Sequence, residues 1–476
     1  VSRAGRAAAG RAAAGLAVAG CALLVGTMAA PVMAPTTVTA GSTGKAGAAA
    51  MVKEDLPRPP PVDMGRLPAS GTPAGQPGAR QKYRCVGAAG PVGAGSANER
   101  LWGQRMFRLP ELWNSSEGGS VRIAVIDTGV SQHPRLAGRL LAGGDFVAGG
   151  DGLADCDGHG TLVAGIAAAS VDSGSGFAGV APEAQVLSVR QSSPRYAVPG
   201  PGGAESPAGN LETLASAVLH AVDLGADVIN ISEVACAPAG ARGAAELQAA
   251  IHRAVQRNVV VVAAAGNLGS GRQDECPDRP RAGTVVYPGW FDQDVLTVAS
   301  VGPGGVASRF NYPGPWVDVA APGERLVSLS AGGSGVTDQM PGSEAGTPID
   351  GTSFAAPSVA GLAALIRARY PRLSAAQVMD RITATASQHA SGRTDSAGYG
   401  VVDPVAALTR GPAVLPPPGD PAGADAGTLR LAPPTRPASV PPGALWGGLL
   451  ALLATVPAGA FAVSKLRAGW RTDTRR

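Results

Sequence analysis

Val121-Arg122-Ile123-Ala124-Val125-Ile126-Asp127-Thr128-Gly129 decides how the rest of the chain is read. The run is short, β-branched and apolar, and it ends on an acid followed by a glycine. A strand buried on both faces has this texture, and the acid then stands at its carboxyl end. Four further runs repeat it: Val186–Val189, Val228–Ile231, Val259–Val262 and Val295–Val298. Helix-like stretches alternate with them, most clearly Thr161–Ala169, Leu211–Val222, Ala244–Val255 and Ala355–Arg369. Buried strands separated by helices imply a mostly parallel sheet with crossover connections. Residues 96–410 therefore form one α/β domain, and open sheets of this kind place ligands at the carboxyl ends of their strands.

Outside this domain the composition changes. Of the chain's 476 residues, 68 are Gly and 41 are Pro, an excess that belongs to loops and linkers. Arg3, Arg6 and Arg11 precede an uncharged run from Ala12 to Ala30, followed by small residues at Val32-Met33-Ala34 and Val38-Thr39-Ala40. Residues 1–40 read as a secretory signal peptide, with an uncleaved anchor as the alternative. Residues 41–95 are an extended Pro/Gly-rich segment with little capacity to fold alone. Residues 411–442 are a Pro-rich linker. Residues 443–463 carry no charge and are long enough for a transmembrane helix. Residues 464–476 are a basic tail, which the positive-inside rule leaves in the cytoplasm. The expected location is the cell membrane, as a single-pass type I protein with the folded domain outside. A net charge of +4 without a basic stripe argues against nucleic acid as partner. Apart from Cys21 in the signal, Cys85, Cys156, Cys236 and Cys276 remain, which in an exported chain suggests two disulfides. Their spacing leaves three pairings open.

Two more stretches carry chemistry. Asp157-Gly158-His159-Gly160-Thr161 opens a helix and flanks an imidazole with glycines. Gly351-Thr352-Ser353-Phe354-Ala355-Ala356-Pro357 opens another, with Ser353 where free helix N–H groups point and Pro357 at an early helical position. Together these stretches supply a nucleophile, a base and an orienting carboxylate. His159 takes the proton of Ser353, and Asp127 holds the imidazole in its productive tautomer. The run Val259–Val262 leads into Ala263-Ala264-Ala265-Gly266-Asn267, placing a side-chain amide at the sheet edge. Asn267 and the Ser353 N–H then form an oxyanion hole.

The blocks Ile126–Gly129, Gly158–Thr161, Ala264–Asn267 and Gly351–Ser353 resemble the subtilisin family of serine proteases. Asp127 and His159 lie 32 residues apart, and the order Asp, His, Ser is the subtilisin one. Asp155-Cys156-Asp157-Gly158-His159, Val228–Cys236 and Asn258–Val262 resemble one branch, the mycosins, which are membrane-anchored proteases of type VII secretion systems. This resemblance implies a three-layer subtilisin-like fold, a serine endopeptidase of exported proteins, and partnership with a type VII secretion membrane complex. It also implies the disulfides Cys85–Cys156 and Cys236–Cys276. The alternative is a largely structural subunit that stabilises the complex.

Some positions depart from the family. Residues 41–95 are too rich in Pro and Gly for the folded prodomain of many subtilisins. After Ser232, on the strand that would bind substrate, Glu233-Val234 stand where Leu-Gly is usual. Glu233 either alters the substrate pockets or points away. No calcium loop is recognisable, so no metal or cofactor is expected. His133, His220, His252 and His389 read as structural or surface residues. The insertion from Gln191 to Asn210 reads as a solvent loop, with self-cleavage or partner binding as the alternative.

Overall fold

A computed structural model describes residues 56–410, except 70, 91, 93–100, 270–275, 345 and 388–391. The predicted signal peptide, proline-rich linker, membrane helix and basic tail lie outside these residues. Among the described residues no helix is long and apolar enough to cross a membrane.

Strand β1 (Arg80–Gln81) is followed by helices α1 (Trp102–Phe107) and α2 (Leu109–Trp113). Strands β2 (Arg122–Asp127) and β3 (Leu140–Asp145) precede α3 (His159–Ala168). Next come β4 (Gln185–Arg190), β5 (Ser193–Pro199), β6 (Glu205–Ala208) and α4 (Leu211–Asp223). After them lie β7 (Val228–Ile231), β8 (Ala235–Pro238), α5 (Ala244–Gln256), β9 (Val260–Ala264) and β10 (Thr284–Tyr287). Strands β11 (Leu296–Val301), β12 (Val319–Pro322), β13 (Ser328–Leu329) and β14 (Val336–Thr337) follow. Helices α6 (Thr352–Arg369), α7 (Ala375–Thr385) and α8 (Pro404–Thr409) close the described chain.

The central sheet has the order β12-β11-β9-β7-β2-β4-β3, and every neighbouring pair is parallel. Every residue of β7, β9, β11 and β12 is buried, as strands covered on both faces require, including the polar Asn230, Thr297 and Ser300. Helices α3 and α6 pack on each other, with α6 running across β7, β9, β11 and β12. Helices α4 and α5 form a second pair, α4 against β2 and β4 and α5 against β9. Small side chains make α6 possible: from Thr352 to Arg367 every residue but Ser353 is buried. The chain passes from β2 to the edge strand β3, comes back to β4 beside β2, and then crosses to β7 on the other side of β2. That reversal brings together the carboxyl ends of β2 and β7, with β9 adjoining, and leaves a crevice there.

The segment from Gln191 to Asn210 is not an irregular loop. Within it β5 and β6 form an antiparallel hairpin, and β1 of the N-terminal segment adds to β5 as a third strand. The described part of that segment lies along the domain. Its carbonyls find donors on the body: Trp290 Nε1 donates to Pro57 O at 2.8 Å and Gln248 Nε2 to Pro60 O at 2.8 Å. Prolines offer no N–H of their own, so side chains of the domain supply the contacts. A disulfide, Cys85–Cys156, fixes its far end.

Candidate active site

Asp127 is the last residue of β2 and is fully buried. His159 is the first residue of α3, whose N-cap is Gly158 at φ 81°. Two close approaches set the imidazole in place. A Cβ on Gly160 would lie 2.0 Å from Gly129 O, so the first turn of α3 rests directly on the turn after β2. A Cβ on Gly158 would lie 2.6 Å from Pro341 Cγ. Across this contact His159 Nδ1 lies 2.7 Å from Asp127 Oδ1. A carboxylate oxygen only accepts, so the proton is on Nδ1, and Nε2 is left as the basic nitrogen.

Behind the pair stands a residue that the sequence reading did not single out. Asp155 Oδ1 accepts from Thr128 Oγ1 at 2.8 Å and Gly158 N at 2.7 Å. Its Oδ2 accepts from Thr161 N at 2.8 Å and Thr161 Oγ1 at 2.6 Å. Thr128 Oγ1 in turn accepts from Gly160 N at 3.0 Å. Asp155 thus joins the turn after β2 to the first turn of α3. Its signal in the sequence is an acid just ahead of a helix start. Burial pushes its carboxyl up to about 6, although hydrogen bonds from Thr161 and Thr128 oppose the shift. Burial also works against the charged form of His159. The charge and hydrogen bond of Asp127 outweigh it, Glu233 and Asp155 add to them, and the imidazole is raised to about 10.

Asn267 follows β9, and its orientation is fixed by chemistry. Thr352 N donates to Asn267 Oδ1 at 3.0 Å, and Thr352 Oγ1 to the same oxygen at 3.1 Å. With its oxygen held by the start of α6, the amide has its Nδ2 donors left to offer. Ser353 is the second residue of α6 and is half-buried. The ring of Phe354, next in sequence, lies 5.1 Å from the His159 ring between centroids.

Pro357 is the sixth residue of α6 and not among its first few. Its missing N–H leaves the carbonyl four residues earlier, that of Ser353, without a helical partner. Ser232 fills the gap: its hydroxyl donates to Ser353 O at 2.7 Å and accepts from Asn230 Nδ2 at 2.9 Å. The Ser232 side chain, expected on the substrate strand, is thereby turned to the helix that carries Ser353.

Glu233 does not point away. Its Oε1 is 3.4 Å from His159 Nδ1. The donor atoms of Asp127, His159 and Glu233 all lie within 4.8 Å of one another. Nδ1 carries the proton given to Asp127, so it has no lone pair for a cation in this tautomer. Two disulfides flank the crevice, in the pairing that the family resemblance implied. Cys85–Cys156 holds the loop before His159, and Cys236–Cys276 lies beneath the Asn267 turn, where a Cβ on Gly266 would be 3.1 Å from Cys276 Sγ. Three other histidines are placed structurally. His133 accepts from Arg135 N, His220 packs edge-on against Phe146, and His252 pairs with Asp294 at 2.9 Å. His389 lies outside the described residues.

A model of the subtilase family matches residues 118–401. Mycosin-4 of Mycobacterium tuberculosis is 45% identical over 360 residues, which is 74% of this chain and 78% of that protein. Mycosin-1 of Mycolicibacterium smegmatis is 41% identical, over 74% of this chain and 81% of its own length. Among solved structures, the serine protease MycP1, described as an essential component of the type VII (ESX-1) secretion system, superposes with a TM-score of 0.66 at 41% identity. It covers 74% of this chain and 100% of that one. A chain of an intact ESX-5 inner membrane complex superposes with a TM-score of 0.67 at 36% identity, covering 86% and 99%.

Proposed function

Because the chain belongs to the subtilase family of serine proteases, we propose that it is an endopeptidase of mycosin type, anchored to the membrane with its catalytic domain outside the cytoplasm. The observation that carries the catalytic reading is the buried Asp127 carboxylate 2.7 Å from His159 Nδ1, at the same crevice as Asn267 and Ser353. Ser353 Oγ attacks the carbonyl carbon of a peptide bond while His159 Nε2 takes its proton. The new oxyanion receives hydrogen bonds from Asn267 Nδ2 and Ser353 N–H. His159 then gives its proton to the departing amine, leaving an acyl-enzyme on Ser353. Water, activated by the same imidazole, hydrolyses that ester and restores the hydroxyl. Asp127 stabilises the imidazolium in both halves of the cycle. Ser232-Glu233-Val234 offer backbone groups at the crevice to an extended substrate strand.

The substrates are exported proteins. Residues 1–40 direct export and 443–463 anchor the chain beside a type VII secretion complex, a partnership supported by the likeness to a chain of the ESX-5 inner membrane complex. That likeness also favours a second reading, in which the fold chiefly stabilises the complex. A fluorophosphonate probe applied to membranes containing the full chain separates the two. Labelling of Ser353 that disappears in Ser353→Ala, and falls by at least about a thousandfold in His159→Ala, is expected of the enzyme. A folded chain that takes no label supports the structural reading.

A further inference from the structure

Glu233 lies outside the Asp127–His159–Ser353 set, yet its carboxylate stands beside the same imidazole. It stands two residues past the end of β7, just after Ser232, whose hydroxyl is bonded to Ser353 O, so the backbone from which its side chain starts is held on both counts. Glu233 Oε1 is 3.4 Å from Nδ1, within ion-pair range, while Asp127 Oδ1 holds that nitrogen at 2.7 Å. The single Nδ1 proton is aimed at Asp127. Glu233 therefore acts on the ring by charge, across a side chain that is 33% exposed.

The surroundings of His159 give that charge weight. From β2 comes Asp127, and from the loop before α3 come Asp155 and Asp157. Asp157 accepts from Ser193 Oγ at 2.5 Å and has Arg195 at 3.9 Å. From α6 come the neutral Ser353 and the apolar Phe354. The ion pairs recorded for His159 among the described residues are with Asp127 and Glu233.

We propose that Glu233 is a positioning residue of the protease: a second carboxylate on the Nδ1 edge of His159 that sets the pH at which Nε2 becomes free to accept the Ser353 proton. In the resting site the added negative charge favours imidazolium, so the base function begins only at higher pH. Once the proton has moved from Ser353 to Nε2, the same charge stabilises the imidazolium that must later protonate the departing amine. The direction agrees with the raised imidazole, to which Glu233 contributes after Asp127. This inference rests on the triad reading above, and its test needs no known substrate.

The test is the rate of fluorophosphonate labelling of Ser353 in the membrane-bound full chain, measured across about pH 5 to 10. In Glu233→Gln the midpoint of the rise with pH should fall by roughly one unit. That is the low end of the shift an opposite charge gives at this range, as suits a partly exposed group. Below both midpoints the variant should label about tenfold faster than the wild type. Glu233→Asp, with a carboxylate set further back, should fall between. Glu111→Gln, which removes an acid exposed on the surface and paired with Arg108, should leave the midpoint unchanged. An unmoved midpoint in Glu233→Gln, or an equal movement in Glu111→Gln, overturns the proposal while leaving the triad intact. Should Glu233→Gln fail to fold, Glu233→Asp decides alone, and no shift there overturns it. A folded wild type that never labels removes the triad reading, and this inference with it.

Discussion

On the His159 side of the crevice the working groups are charged. Asp127 is fully buried, Asp155 takes four short hydrogen bonds, and Glu233 adds a third carboxylate. On the Ser353 side they are neutral: an amide on Asn267, hydroxyls on Thr352 and Ser232, and backbone N–H and C=O groups at the start of α6. Each side is stapled by its own disulfide, yet the two answer to different variables. Two groups on the charged side, Asp155 and His159, are shifted in the working range, because burial disfavours their charged forms and the neighbouring carboxylates favour the imidazolium. The Asn267 amide, the Thr352 and Ser232 hydroxyls and the backbone groups do not titrate in the working range, so what they offer depends on geometry alone. A site built this way should lose activity in two distinguishable manners, one that depends on pH and one that does not.

The largest expected effect tests the neutral side. Asn267→Ala should slow labelling and turnover by roughly 10²–10³, the range for the corresponding change in subtilisin, a relative within the family. The loss should be the same at every pH. A fall of under threefold would remove Asn267 from the oxyanion role, and a loss confined to one end of the pH range would break the contrast between the two sides.

A smaller effect is expected one step back. Ser232→Ala leaves Ser353 O, the carbonyl orphaned by Pro357, without its donor. An unsatisfied buried acceptor costs about 1–3 kcal/mol, part of which should appear as labelling slowed by about tenfold. Ser232→Thr keeps the hydroxyl and should keep most of the rate. Equal rates for the wild type and Ser232→Ala would show that Ser353 is held by the rest of α6.

These two residues also mark how far the sequence could be read. Asn267 was legible because a buried valine run delivers it to the sheet edge, a local pattern. The bond from Ser232 was not, since it depends on Pro357 standing deeper in α6 than the motif suggests and on α6 crossing β7. Asp155 escaped notice because its donors meet only when α3 rests on the turn after β2. Strands β3 and β12 were missed for a plainer reason. Gly143-Gly144 and Ala320-Ala321-Pro322 lack the branched run that marked the other strands. The hairpin of β5 and β6 was hidden by its prolines. Pro194 lies where the register shifts, and Pro199 ends its strand, places that a sheet tolerates. Glu233 was visible as a departure, but its direction waited on the structure.

The smallest effect belongs to the charged side and reads stability instead of rate. Asp155 has its carboxyl raised from 3.8 to about 6 in the folded chain. Between those values the unfolded chain releases the proton while the folded one keeps it, so the folded state binds more protons and loses stability as pH rises. The loss is complete above about pH 6. Asp155→Asn removes the titration and also sets an amide donor against the Thr161 or Gly158 N–H groups, a mismatch that destabilises at any pH. The two effects separate by comparing denaturant melts at pH 4 and pH 7. The penalty of the substitution should be larger at pH 4, by about 1–2 kcal/mol once the partial exposure of Asp155 is allowed for. A penalty that is equal at the two pH values would mean that Asp155 ionises normally. The charged side would then owe its pH dependence to the His159 imidazole.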